Sequence, residues 1–219
     1  MYAHTVLEKY RIDKDGTTLQ IKIPDINLQQ FIAEKAPKYA EIRIDDGRCI
    51  TSLQRKKAYA TIRDISSWTG YLPEEQKEWL KYLYIERTGS PYFSLSDCSM
   101  DTAREFINVI LDYALEEGIP LSERGVERTD DIGRYLYSCI KNRRCAVCGR
   151  PGEIHHVDTI GMGRDRRHVD DSMCKKICLC REHHTAAHQR GMKAFEQMYH
   201  VFGIVVRETI TTQVIDKWG

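Results

Sequence analysis

From Cys145 to Arg190 the chain reads CAVCGRPGEIHHVDTIGMGRDRRHVDDSMCKKICLCREHHTAAHQR, a stretch rich in side chains able to bind metal. It holds five of the eight cysteines and six of the eight histidines of the 219-residue sequence. Cys145 and Cys148 form a C-x-x-C knuckle, a spacing at which one tight turn offers two sulfurs to a tetrahedral zinc. Cys180 and His183 repeat the same gap, with 31 residues between the two half-sites. Together they make a Cys-Cys-Cys-His structural zinc site. The need for one is physical. The 46 residues from Cys145 to Arg190 are too few to bury an adequate core unaided. A structural zinc contributes on the order of 10–16 kcal/mol of apparent binding energy. Cys174 and Cys178 compete for the same role. Their plainer reading, shared with Cys49, Cys98 and Cys139, is as small buried hydrophobes.

The other histidines point to a second ion. His184 and His188 stand at i and i+4, on one face of a helix. His183 lies about 100° further round and faces the cysteines instead. His155 and His156 are adjacent. In extended chain such neighbours point to opposite sides, so one serves as a ligand and the other as a free base. An ion held by three imidazoles keeps open positions for water and phosphate, which marks a catalytic site rather than a closed structural one.

This combination resembles the HNH nuclease family, the ββα-metal fold, over about Cys145 to Gly191. The carrying motifs are the C-x-x-C knuckle, Ile154-His155-His156-Val157, and Leu179-Cys180-Arg181-Glu182-His183-His184 followed by His188. His183 stands where the family usually has a second Cys, and Lys175 where it has its middle Asn. The resemblance implies that His156 is the general base that takes a proton from water. It implies that His155, His184 and His188 hold one catalytic divalent ion (Mg, Mn, Ni or Zn), beside a structural Zn2+ on Cys145, Cys148, Cys180 and His183. A neutral imidazole with a pKa of about 6.5 suits that proton transfer. The expected products carry 5′-phosphate and 3′-hydroxyl ends. Arg164, Arg166 and Arg167, in a loop that opens Gly161-Met162-Gly163, can bring guanidinium groups to backbone phosphates, with Lys175 nearby.

These residues need a scaffold, and the pattern around them predicts an α+β chain. Val6–Ile12 and Thr17–Ile23 flank Asp15-Gly16, a hairpin signal, and Ala40–Asp45 and Arg48–Leu53 flank Asp46-Gly47, a second one. Helices are predicted over Ile26–Ala36, Gln54–Ser67, Pro73–Arg87 and from a Ser99 cap to about Glu117, with Gly118 as the stop. Thr129 is expected to cap a linking helix to Asn142. A helix over Met192–Phe202 and a strand over Ile204–Arg207 follow. A boundary near Arg128 divides residues 1–128 from a carboxy-terminal unit, 129–219, made of the linking helix and the zinc-stabilised module.

The amino-terminal unit carries a basic helix face, Arg55, Lys56 and Lys57 with Arg63, which can meet a nucleic-acid backbone. The order Gln54-Arg55-Lys56-Lys57-Ala58-Tyr59, an aromatic helix, Phe93-Ser94-Leu95-Ser96 and a long helix ending at Ile119-Pro120 resembles the phage Orf/NinB recombination mediators over about Glu41 to Leu121. That resemblance implies binding of single-stranded or branched DNA, a homodimer, and loading of a recombinase onto strands coated with single-strand-binding protein. Two readings compete: a metal-dependent DNA endonuclease of phage or prophage recombination, and a non-catalytic single-stranded-DNA-binding mediator with a structural zinc finger.

Net charge hides the layout. The whole chain sums to +1. From Asp101 to Asp131 nine acids face three arginines, a net of −6, and from Lys141 to Arg190 eleven bases face six acids, a net of +5. An acidic segment precedes a basic one. With 42% hydrophobic and 30% charged residues, the composition excludes a mainly disordered or fibrous chain. No apolar run approaches the ~18 residues a spanning helix needs, and the amino terminus lacks a signal-peptide core. The expected setting is the reducing cytoplasm of a bacterial host, with no membrane partner, where clustered cysteines bind metal before they form disulfides.

Overall fold

The computed structural model describes residues 5–24, 27–36, 47–157 and 174–206. The predicted Ala40–Asp45 strand, and the Arg164, Arg166 and Arg167 loop, lie outside the described residues.

The amino-terminal hairpin forms as expected, β1 (Val6–Asp13) antiparallel to β2 (Gly16–Lys22). A bulge between Leu7 and Lys9 resets the side-chain alternation, so Leu7, Tyr10 and Ile12 pair with Ile21, Leu19 and Thr17 on one face. That apolar face is largely open, Tyr10 being 67% and Ile12 74% exposed. A short helix follows, α1 (Gln29–Lys35).

Three long helices build the main core: α2 (Ser52–Thr69), α3 (Pro73–Thr88) and α4 (Met100–Glu117). The predicted strand over Arg48–Leu53 does not form. Cys49 makes a single bridge to Ser99, and helix α2 begins at Ser52. The local reason is a reciprocal cap. Gln54 N–H donates to Thr51 Oγ1 at 3.1 Å, and Thr51 N–H donates to Gln54 Oε1 at 3.0 Å. Ser99 caps α4 as predicted, accepting from Thr102 N–H at 3.0 Å. Ala58, Ile62 and Ile65 of α2 are buried against Phe106, Ile107 and Ile110 of α4 and Leu80 and Tyr84 of α3. Tyr84, Phe93 and Phe106 meet edge to face, with centroids 5.1–6.0 Å apart.

A single helical turn, α5 (Gly125–Arg128), leads to α6 (Ile132–Lys141). The cap of α6 is Asp131, which accepts from Arg134 N–H at 3.0 Å. Thr129 instead accepts from Asp131 N–H at 2.9 Å in the turn before it. Helix α6 packs on α4 through one face and, through the other, on a small sheet. That sheet holds β3 (Glu153–His156), β4 (Lys175–Leu179) and β5 (Ile204–Val205), all antiparallel with β4 central. Helices α7 (Arg181–Arg190) and α8 (Met192–Tyr199) complete it, α8 ending three residues before the predicted Phe202. Leu136, Cys139, Ile177, Cys178 and Leu179 join the buried cluster that begins at Ile50, so one core runs past Arg128. Arg128 itself is 4% exposed and faces Asp64 and Glu123. Among the described residues no helix is long and apolar enough to cross a membrane.

Candidate metal centre

The knuckle is shaped by its own backbone. Gly149 N–H donates to Cys145 O at 2.8 Å, and Cys145 N–H to Arg150 O at 2.7 Å, which closes a turn around both sulfurs. Ala146 N–H donates to Cys178 O at 2.9 Å and pins the knuckle to β4. Cys180, just past the end of β4, is the first residue before α7, and His183 lies within that helix's first turn.

These elements bring Cys145, Cys148, Cys180 and His183 together, every ligand atom within 4.8 Å of every other. Tetrahedral zinc, with Zn–S of ~2.3 Å and Zn–N of ~2.05 Å, requires sulfur–sulfur separations of about 3.8 Å and sulfur–nitrogen separations of about 3.6 Å. The chain supplies 3.7 Å between Cys148 and Cys180 Sγ, 3.5 Å from Cys145 Sγ to His183 Nδ1 and 3.2 Å from Cys180 Sγ to the same nitrogen. The donor set and its spacing fit zinc. The His183 ring packs on Tyr199 with centroids 5.2 Å apart, which fixes its orientation. Burial, then the guanidinium of Arg150, holds His183 below the usual histidine range, in the neutral form a metal needs. Burial pushes the Cys145 thiol up to about 12. Burial also raises Cys148, but hydrogen bonds, that of Arg150 foremost, outweigh it and bring that thiol below its ordinary value.

The second cluster forms across the β3–α7 interface. His155 pairs with Ile177 in the sheet and turns its ring toward α7. Its centroid lies 4.7 Å from that of His184 and 5.0 Å from that of His188, and those two rings are 5.0 Å apart. Their ligand nitrogens all lie within 4.8 Å of one another. His184 and His188 share one face because they are one helical turn apart. His155, half-buried, is pushed down to about 4, by burial first and then by the facing rings of His184, His188 and His156. Three imidazoles of which one resists protonation suit a divalent cation. His156 follows on the same strand, opposite Lys176, and strand alternation directs it away from the His155 side.

The remaining candidates are dispersed. Lys175 begins β4 opposite Val205. On α2, Arg55 donates to Leu95 O at 2.9 Å and to Ser96 O at 2.7 Å, so it braces that loop. Lys57 donates to Thr129 O at 2.8 Å and pairs with Asp130 at 2.6 Å. Lys56 is exposed and, with Ser52, Arg55, Tyr59, Ala60 and Arg63, lines an open groove of about 480 Å³. Sequence reasoning passed over Arg150, whose guanidinium reaches Cys148 Sγ at 3.4 Å and pairs with Glu182. Its only sequence signal is its place two residues past the knuckle.

A family model described as "Putative HNHc nuclease" matches residues 22–216, and the chain belongs to that family. The match runs across Arg128 and takes in the long helices as well as the metal centre. No curated protein and no solved structure matches the chain.

Proposed function

We propose that the protein is a metal-dependent DNA endonuclease in which His156 is the general base and His155, His184 and His188 hold the catalytic divalent ion. The single observation that carries this reading is the convergence of three imidazoles, one from β3 and two from α7, beside a separate Cys-Cys-Cys-His group. The zinc group ties the knuckle to the start of α7 and so sets where His184 and His188 stand. His156 takes the proton from a water molecule, which becomes the nucleophile at the scissile phosphorus. An ion on the three imidazoles, when bound, would neutralise charge building on the phosphate and the leaving 3′ oxygen. Lys175 and the Arg164, Arg166 and Arg167 loop are assigned to backbone phosphates.

The amino-terminal part is proposed to bind single-stranded or branched DNA along the α2 groove, with Lys56 and Arg63 toward phosphates and Tyr59 toward a base. Arg55 and Lys57 act there through the loops they brace. The open apolar face of the β1–β2 hairpin supports a homodimer, because a lone two-stranded hairpin is marginal in water. Work in phage recombination beside single-strand-binding protein and a recombinase, in the host cytoplasm, completes the proposal.

The test is cleavage of single-stranded, duplex, flapped and four-way DNA with magnesium, manganese, nickel or zinc. Wild-type protein is expected to cut at least one substrate, and His156→Ala to lose about 100-fold or more of that activity while it keeps its fold and zinc. DNA binding without cleavage under every ion would favour the mediator reading, which the Lys175 substitution at the family's Asn position otherwise recommends.

A further inference from the structure

The zinc group carries charge that its four ligands do not balance. Three thiolates and one dication sum to −1, in a site whose Cys145 is fully buried and whose Cys180 is 6% exposed. Among the described residues, the cation that meets its sulfurs is Arg150. The Arg150 guanidinium donates from Nε to Cys148 Sγ at 3.4 Å and from Nη2 to Cys180 Sγ at 3.9 Å. The same fork holds Glu182, with Nη1 donating to Oε1 at 3.2 Å and Nη2 to Oε2. Glu182 lies in the first turn of α7, next to His183 and His184. Arg150 therefore touches both half-sites, the knuckle through Cys148 and the helix through Cys180 and Glu182.

An exposed Arg–Glu pair alone contributes little. A planar fork that also meets two sulfurs is a different object, because each N–H···S bond draws electron density from a thiolate and lowers its affinity for protons and oxidants.

We propose that Arg150 is a positioning residue of the zinc group: it neutralises the excess thiolate charge, bonds the Cys148 and Cys180 sulfurs, and through those two bonds ties the knuckle to the residue that starts α7. This rests on the zinc reading above. Lysine would restore the charge but not the fork.

The experiment uses the full chain loaded with zinc, and separately with cobalt(II), as wild type, Arg150→Gln, Arg150→Lys and Glu182→Gln. Zinc retention against a chromogenic chelator and the thiolate-to-cobalt charge-transfer band are read alongside circular dichroism. Arg150→Gln is expected to weaken zinc retention roughly 10–100-fold and to move the charge-transfer band to lower energy. Arg150→Lys should recover part of the retention with the band still displaced. Glu182→Gln, which leaves the Arg–sulfur bonds in place, should stay within about threefold of wild type in retention. Wild-type retention in Arg150→Gln would overturn the proposal, as would an equal loss in Glu182→Gln, which would reduce Arg150 to an ordinary ion pair. The side chain of Arg150 is 54% exposed, so the variants are expected to fold. A wild-type chain that binds no zinc at all would instead refute the zinc reading itself, which keeps the two failures distinguishable.

Discussion

His155 has the most constrained environment of the three imidazoles assigned to the catalytic ion. With no ion on the imidazoles, burial and the neighbouring rings hold it down to about 4, against about 6.5 in an unfolded chain. Between those values the unfolded state takes up a proton that the native state refuses. The contribution to stability is thus complete above pH 6.5 and lost as pH falls toward 4. Protein with zinc on the thiolates and no ion on the imidazoles is expected to unfold at lower urea concentrations across that window, and His155→Asn should flatten the trend. An unchanged trend in that variant would place the pH sensitivity elsewhere. The members of both clusters were legible in the sequence, because metal chemistry restricts both residue type and spacing. Arg150 was not. Nothing about an arginine two places past a C-x-x-C says that it turns back onto the sulfurs.

At the level of elements, periodic patterns served well and their ends served badly. The cores of α2 and α4 follow from the i, i+3, i+4 spacing of Ile62, Ile65, Phe106, Ile107 and Ile110. The Arg48–Leu53 stretch misleads because its β-like composition competes with one capping interaction, Thr51 with Gln54, and the cap wins. Asp131 displaces Thr129 as the cap of α6 for a similar local reason. Two contacts that join α4 to the carboxy-terminal elements were invisible beforehand. Arg144 donates to Leu115 O at 3.0 Å, and its guanidinium fills the space where a Cβ on Gly118 would sit. Gly118 also has φ of 70°. Gly118→Ala should therefore cost about 1–3 kcal/mol in urea unfolding. Arg134 reaches Glu105 at 2.7 Å and Asp112 at 3.6 Å, across from α6 to α4. Burial raises Asp112, and Arg134 is one of the groups that offset it. Arg134→Ala is expected to cost about 1–3 kcal/mol, because two half-buried carboxylates lose their shared cation. A loss within error would mean the two carboxylates are solvated well enough alone.

Across the whole molecule, one buried cluster runs from helices α2–α4 into β4, and the zinc reading adds a thiolate-bound ion that holds β3, β4 and α7 in place. Zinc removal is expected to abolish amide protection in β3, β4 and α7 while α2–α4 stay protected in hydrogen exchange. Uniform loss of protection would show that the shared cluster through Leu136 and Ile177 makes the chain one cooperative unit. The central claim is that this carboxy-terminal part gathers two separate ions, one that shapes it and one that meets a phosphodiester. The metal-to-protein ratio after equilibration with excess zinc tests it most directly, for wild type and for His184→Ala/His188→Ala. Two ions per chain falling to one in the variant is the predicted result. One ion per chain in both proteins would contradict the account.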